Sequence, residues 1–248
     1  MANTRNIALN VLLKIENEGA YSNIALNNAI KENRLSGVDS SFVSALVYGV
    51  LERRITLDYI IRSYSKIPLR KIETKTKNIL RLGILQLLFM DKVPDSAAVN
   101  ESVNLAKKHK LQKSSGFING ILRNITRAEV KYTLPDEKDR VRYLSVKYSV
   151  PENIVKLWVN SYGENNTEQL LASLNGRAKI CCRVNTLRTD ADTLIKKLSD
   201  EGVVAEKIPF IDNALYLKNT GSVERLRAYK SGLFHIQDAS SQLCVNFL

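Results

Sequence analysis

The sequence predicts two parts in one chain, an all-α helical bundle followed by a smaller α+β module with some α/β-like alternation. Three observations predict this. Apolar residues recur at helical spacing through residues 1–130, with no alternating Val/Ile/Thr-rich run to interrupt them. Short β-prone runs bounded by Gly and Asp begin only after Gly176. Between the parts, residues 128–140 are polar, contain Pro135 and show no periodicity, as a linker would.

The helices follow in order. Ile7, Ala8, Val11, Leu12 and Ile15 form a first stripe after a cap at Asn3 or Thr4. Ser22 opens a second helix with Ile24, Leu26 and Ile30, and Phe42, Val43, Leu46, Val47 and Val50 make a third. Leu57, Ile60 and Ile61 give a short fourth, ended by the loop at Ile67-Pro68-Leu69. From Glu73 to Met90 apolar residues cover almost the whole circumference, the pattern of a helix buried at a bundle's centre. Pro94-Asp95-Ser96 starts a helix running to Lys108, and Phe117, Ile118, Ile121, Leu122 and Ile125 mark the last of the bundle. Gly116 and Gly120, spaced G-x₃-G, predict close helix packing. Helix resumes from Arg142 to Gly163, with Pro151 at a first-turn position, and again from Glu168 to Leu174.

In the module, Ile180–Val184 is β-prone. Thr189 or Asp190 caps a helix holding Leu194, Ile195 and Leu198. Val203-Val204, Leu215-Tyr216-Leu217 and Leu233–Gln237 read as strands, and Asp238 caps a closing helix. The expected domains are residues 1–130, 131–228 and 229–248.

Composition narrows the function. The 248 residues carry 37 Lys+Arg against 25 Asp+Glu, a net charge of +12 that favours a polyanionic partner such as nucleic acid. Residues 1–130 hold 20 basic and 11 acidic residues, a net +9, and residues 131–248 hold the remaining +3. The three cysteines, Cys181, Cys182 and Cys244, form no disulfide framework, and all three read as buried thiols of a reducing compartment. Met1-Ala2-Asn3-Thr4-Arg5 lacks the apolar run of a signal peptide, and Ile79–Met90 is too short to span a bilayer, so a cytoplasmic location without membrane association is expected.

Metal-ligand spacings, Gly-rich nucleotide loops and nucleophile constellations are missing from the sequence, so no metal is expected. Asp190 and Asp192 are explained by a helix cap, and His235 by a packed strand. Basic residues are the functional signal: Arg5, the pair Arg53-Arg54, the basic turn Lys107, Lys108, Lys110 and Lys113, and Arg123 are the expected RNA-binding residues. His109, within that turn, adds a cation at acidic pH. Tyr21, Tyr48 and Tyr64 are either stacking platforms for bases or core residues.

Four segments carry a resemblance. They are Tyr48-Gly49-Val50-Leu51-Glu52-Arg53-Arg54, Arg81-Leu82-Gly83-Ile84-Leu85-Gln86-Leu87, Ala98-Val99-Asn100-Glu101-Ser102-Val103 and Gly116-Phe117-Ile118-Asn119-Gly120-Ile121-Leu122-Arg123. Together they resemble the NusB-like RNA-binding domain. Arg183-Val184-Asn185-Thr186-Leu187-Arg188 and Gly232-Leu233-Phe234-His235-Ile236-Gln237-Asp238-Ala239-Ser240-Ser241-Gln242 extend the resemblance to the RsmB/Sun/Fmu-type ribosomal RNA cytosine-C5 methyltransferases. Glu52 departs from the basic residue the family usually has before the arginine pair.

The resemblance implies small-subunit ribosomal RNA as partner and S-adenosylmethionine as the whole enzyme's cofactor. It also implies a Rossmann-type catalytic domain that is absent here or only begun at the C-terminus. No Thr-Cys occurs, no proline precedes a cysteine, and no Gly-rich strand-to-helix turn is present. The expectation is therefore an accessory region that neither binds the cofactor nor transfers a methyl group alone. The rival is a non-catalytic NusB-like protein of transcription antitermination or ribosome assembly, which needs nothing after its bundle.

Overall fold

The computed structural model describes residues 4–174 and 179–246. The chain forms two compact units, residues 1–175 and 176–248.

The first unit is all helix: α1 (Thr4–Glu18), α2 (Ser22–Glu32), α3 (Gly37–Glu52), α4 (Arg54–Tyr64), α5 (Thr74–Phe89), α6 (Asp95–Lys108), α7 (Gln112–Arg127), α8 (Arg140–Tyr148), α9 (Glu152–Tyr162) and α10 (Glu164–Leu174). As its all-round apolar pattern predicts, α5 is the central helix, with every residue from Asn78 to Gln86 buried. The three polar residues of that stretch are bonded: Asn78 Nδ2 donates to Glu16 Oε2 at 2.8 Å. Gln86 Nε2 donates to Leu82 O at 2.8 Å, and the Arg81 guanidinium reaches Asp58, Glu16 and Asn78.

Close helix approach occurs at glycines other than the pair expected. A Cβ at Gly83 would lie 2.8 Å from Leu122 Cδ1 and 2.9 Å from Ser102 Oγ, so this glycine lets α5 meet α6 and α7. A Cβ at Gly49 would lie 2.9 Å from Leu85 Cδ2. Gly116 and Gly120 have open space around them. G-x₃-G spacing puts two small residues on one face, and here that face is turned to solvent.

Residues 128–140 are not a free linker. Tyr64 Oη donates to Lys131 O at 2.6 Å, Lys131 Nζ donates to Thr126 O at 2.7 Å, and Tyr132 packs on the helical core. Beyond it, α8 is tied to α4: Thr56 Oγ1 donates to Val146 O at 2.5 Å and the Ile55 amide to Ser149 Oγ at 3.0 Å. Glu168 of α10 accepts from Lys147, Tyr148 and Arg140 of α8. The first unit thus runs past residue 130 to include α8–α10. The helix expected over 142–163 is two helices, because Ser149 is left-handed (φ 58°) and Pro151 can neither donate an amide nor let Val150 stay helical.

The second unit is an antiparallel sheet with helices: β1 (Ile180–Val184), α11 (Ala191–Ser199), β2 (Val204–Lys207), β3 (Ala214–Lys218), α12 (Arg227–Lys230), β4 (Phe234–Ile236) and α13 (Ala239–Asn246). The strand order is β2-β3-β1-β4, every pairing antiparallel, which makes the module α+β. Cys182 pairs with Leu215 on one side and Ile236 on the other. The core is Cys182, Val184, Leu194, Leu198, Val203, Leu215, Leu217 and Phe234. Asp190 caps α11 as expected, accepting from the Thr193 amide at 2.8 Å, and Asp238 accepts from the Ser240 amide at 2.8 Å. Two expectations fail. His235 and Cys244 are exposed, because the pleat of β4 turns His235 outward and Cys244 lies on the outer face of α13.

Overpacking governs the expected effect of two alanines. Gly83→Ala forces Leu122 and Ser102 apart and is expected to cost about 1–3 kcal/mol. Gly120→Ala fills open space in a helix interior and is expected to stabilise by roughly 0.5–1 kcal/mol. Urea unfolding of both variants checks this; equal destabilisation would refute the packing at Gly83.

Candidate nucleic-acid interface

The corner between α6 and α7 gathers the four expected lysines. α6 ends in a Schellman turn: the Leu111 amide donates to Ala106 O at 2.9 Å and the Lys110 amide to Lys107 O at 3.0 Å. Leu111 packs against the core, so the turn is anchored from inside. Lys110 occupies the left-handed position, φ 59°, that usually belongs to glycine. A lysine there costs about 1 kcal/mol relative to glycine, and the same turn leaves Lys107, Lys108, Lys110 and Lys113 exposed. None of the four forms an ion pair among the described residues.

His109 faces the other way. Its Nε2 lies 2.7 Å from Asn6 Oδ1, joining the end of α6 to α1. Burial, then the charges of Lys75 and Lys108, push its pKa below the usual histidine value, so the ring is neutral at pH 7. Lys75, at the start of α5, therefore belongs to this basic environment. Nothing in the sequence signals it, since it lies more than thirty positions away. Arg34 repeats the device of Lys110: at φ 50° it closes α2 through Arg34 N–H to Lys31 O at 3.1 Å and Leu35 N–H to Ile30 O at 3.0 Å.

The other expected residues are placed differently. Arg5 is half-buried; its Nε donates to Gln86 Oε1 at 2.7 Å and its guanidinium lies 5.2 Å from the Phe42 ring. Burial pulls its pKa down, against the opposing charge of Glu101. Arg53 caps the end of α3, 3.4 Å from Glu52 and 5.3 Å from the Phe89 ring. Arg54 starts α4 and lies 3.6 Å from Glu16. The arginine pair is thus split between two helices and occupied by carboxylates and a ring. Arg123 is exposed on α7, about 15 Å along the axis from Lys113. Of the tyrosines, Tyr21 is 77% exposed and Tyr48 38%, whereas Tyr64 is tied to Lys131.

Among the described residues no group of His, Cys, Asp and Glu is placed to hold a metal ion, and no helix is long and apolar enough to cross a membrane. Burial pushes the Cys182 thiol up to about 12, and burial followed by Asp238 raises Cys181, as expected of structural thiols.

The strained lysine gives a separable expectation. Lys110→Gly is expected to raise stability by about 1 kcal/mol while weakening binding to a polyanion such as heparin. Thermal unfolding and heparin-column elution read the two effects. A variant that is no more stable, or elutes later, would contradict the role given to Lys110.

Known proteins similar to this chain fall in one group. Residues 2–127 match the NusB family, and residues 150–224 match the Methyltr_RsmF/B-like, ferredoxin-like domain. The chain is 34% identical over 244 residues to the probable ribosomal RNA small subunit methyltransferase B of Bacillus subtilis (strain 168), covering 98% of this chain and 54% of that protein. It is 31% identical over 249 residues to the probable ribosomal RNA small subunit methyltransferase B of Synechocystis sp. (strain ATCC 27184 / PCC 6803 / Kazusa), covering 100% and 56%. The crystal structure of PH0851 shares the fold, with a TM-score of 0.68 at 17% identity over 97% of this chain and 54% of that one. The chain spans about half the length of the curated relatives it matches. It belongs to the NusB family, carries an RsmF/B-like ferredoxin-like domain after its NusB part, and has ribosomal RNA small subunit methyltransferases B as its homologues.

Proposed function

We propose that this chain is the RNA-binding and accessory region of an S-adenosylmethionine-dependent, cytosine-C5-specific methyltransferase of small-subunit ribosomal RNA, acting in the cytoplasm. The observation that carries the reading is that relatives named as ribosomal RNA small subunit methyltransferases align along essentially the whole chain, through both units. A free-standing antitermination factor needs no ferredoxin-like domain at residues 150–224. Residues 1–130 act as the RNA-binding domain. Lys107, Lys108, Lys110 and Lys113 meet phosphates directly, Arg123 extends the track along α7, and Arg5, Arg53 and Arg54 add field from positions already engaged by protein groups.

Lysine ammonium groups with no protein partner release counterions when phosphates take them up. The affinity for single-stranded RNA is expected to fall with salt at a log–log slope of about −0.7 per phosphate neutralised. Changing Lys107, Lys108 and Lys110 together to Ala should flatten the slope by up to roughly 2 units and leave unfolding within about 1.5 kcal/mol of the parent. An unchanged slope would move the RNA surface elsewhere.

S-adenosylmethionine supplies the methyl group in the whole enzyme. The sequence offers no Gly-rich strand-to-helix turn to cradle it and no Thr-Cys nucleophile. Titration calorimetry of this chain with S-adenosylmethionine is expected to show no saturable heat; micromolar binding would contradict the assignment of cofactor binding to another part of the enzyme.

A further inference from the structure

His109 stands among the lysines of the α6–α7 corner without being a cation at pH 7. Its ring is half-buried and joined to α1, with Nε2 2.7 Å from Asn6 Oδ1. The amide oxygen accepts, so Nε2 carries the hydrogen and Nδ1 is the nitrogen that takes up a proton. Protonation therefore keeps the bond to Asn6 and makes it charge-assisted. The joint between α1 and α6 holds in both states.

Two opposing influences act on the ring. His109 is the C-cap of α6, and the C-terminal end of a helix favours a cation. Against this stand burial and two charges, Lys75 of α5 and Lys108 of α6, both positive; α1 brings the uncharged Asn6. Neither lysine forms an ion pair among the described residues, so no carboxylate among them cancels their field. An anion from outside does. A phosphate seated beside both lysines removes the repulsion, adds its own attraction for the imidazolium, and leaves the helix end to favour it.

We propose that His109 takes up a proton when an RNA phosphate seats beside Lys75 and Lys108, so that the basic corner holds RNA more tightly as the pH falls. The proton comes from solvent and goes to Nδ1; no bond breaks within the protein. The sign follows from linkage: a complex that binds more protons than the free chain gains affinity with acidity, and loses that gain as the pH rises past the point where the bound ring deprotonates. The inference rests on the reading that this corner binds RNA, and it adds the regulation of that same site.

His109 and His235 are the chain's two histidines, and His235 is exposed on β4 of the other unit, so the effect can be assigned to one side chain. Fluorescence anisotropy with a short oligouridylate is run on the 248-residue chain from pH 5.5 to pH 8, at several salt concentrations. Phosphodiesters and uracil keep their charge over that range. The parent is expected to bind up to about tenfold more tightly at pH 5.5 than at pH 8, the ratio given by a tenfold rise in the ring's proton affinity on binding. Its log–log salt slope should be steeper at pH 5.5 by up to about 0.7, one further phosphate neutralised. For His109→Gln, affinity is expected to vary less than about twofold over the range, while His235→Gln keeps the parent's pH dependence. Proton NMR of the parent reads the same event without a substitution at His109: the midpoint of its imidazole signal, assigned with the His235→Gln variant, should rise when oligouridylate is added. An unmoved midpoint, or a His109→Gln variant as pH-dependent as the parent, overturns the inference while the RNA-binding reading survives. If the parent binds no RNA at any pH, both fail.

Discussion

Arg81 is buried at the centre of the helical unit, 2% exposed, and its guanidinium is satisfied by three helices at once. It bonds Asp58 of α4 at 2.7 and 2.9 Å, Glu16 of α1 at 2.9 Å, and Asn78 within α5 at 3.1 Å. Burial alone would lower its pKa; the hydrogen bonds and charge of Asp58, then Glu16, outweigh that and raise it. Glu16 shows the complement: burial raises its pKa, and Asn78, Arg81 and Arg54 together bring it below the ordinary glutamate value. A pair of this kind is a weak source of net stability but a strong constraint, because losing one partner strands a buried charge at a cost of about 3–5 kcal/mol.

That constraint reaches the surface. With α1 fixed to α5 at Glu16, Asn6 meets His109 at the far end of α6, and the α6–α7 turn is held from both sides. It also draws in Arg54, which turns toward Glu16. The same network therefore fixes which cations are engaged by protein and which are left for a partner. A cation already in an ion pair exchanges one anion for another when it meets a phosphate, whereas Lys107, Lys108, Lys110 and Lys113 have no such competitor among the described residues.

Six residues other than glycine are left-handed among the described ones: Arg34, Lys110, Ser149, Phe210, Asn213 and Asn219. Lys110 takes a glycine's conformation at the basic turn, and Phe210 takes an asparagine's or a glycine's in the loop between β2 and β3. At Lys110 the partly buried Leu111, and at Phe210 the buried Ile211, anchors the strained turn from within.

The sequence alone determined what depends on neighbours three or four residues apart. The helical stripes, the buried centre at α5, the Asp190 cap and the contiguous basic turn all follow from short-range periodicity and capping. The motifs Arg183–Arg188 and Gly232–Gln242 marked the second module, whose antiparallel sheet joins β4 to β1. Tertiary structure decided which glycine faces a neighbouring helix, which residues of 128–140 pack on the core, and whether His235 and Cys244 are covered. It also decided that Arg5 is occupied by Gln86, that Lys75 lies within reach of His109, and that Gln242 and Arg183 line one cleft. These outcomes depend on partners that lie tens of residues away in the chain. Periodicity tells a helix which face to bury, but only packing chooses what that face meets.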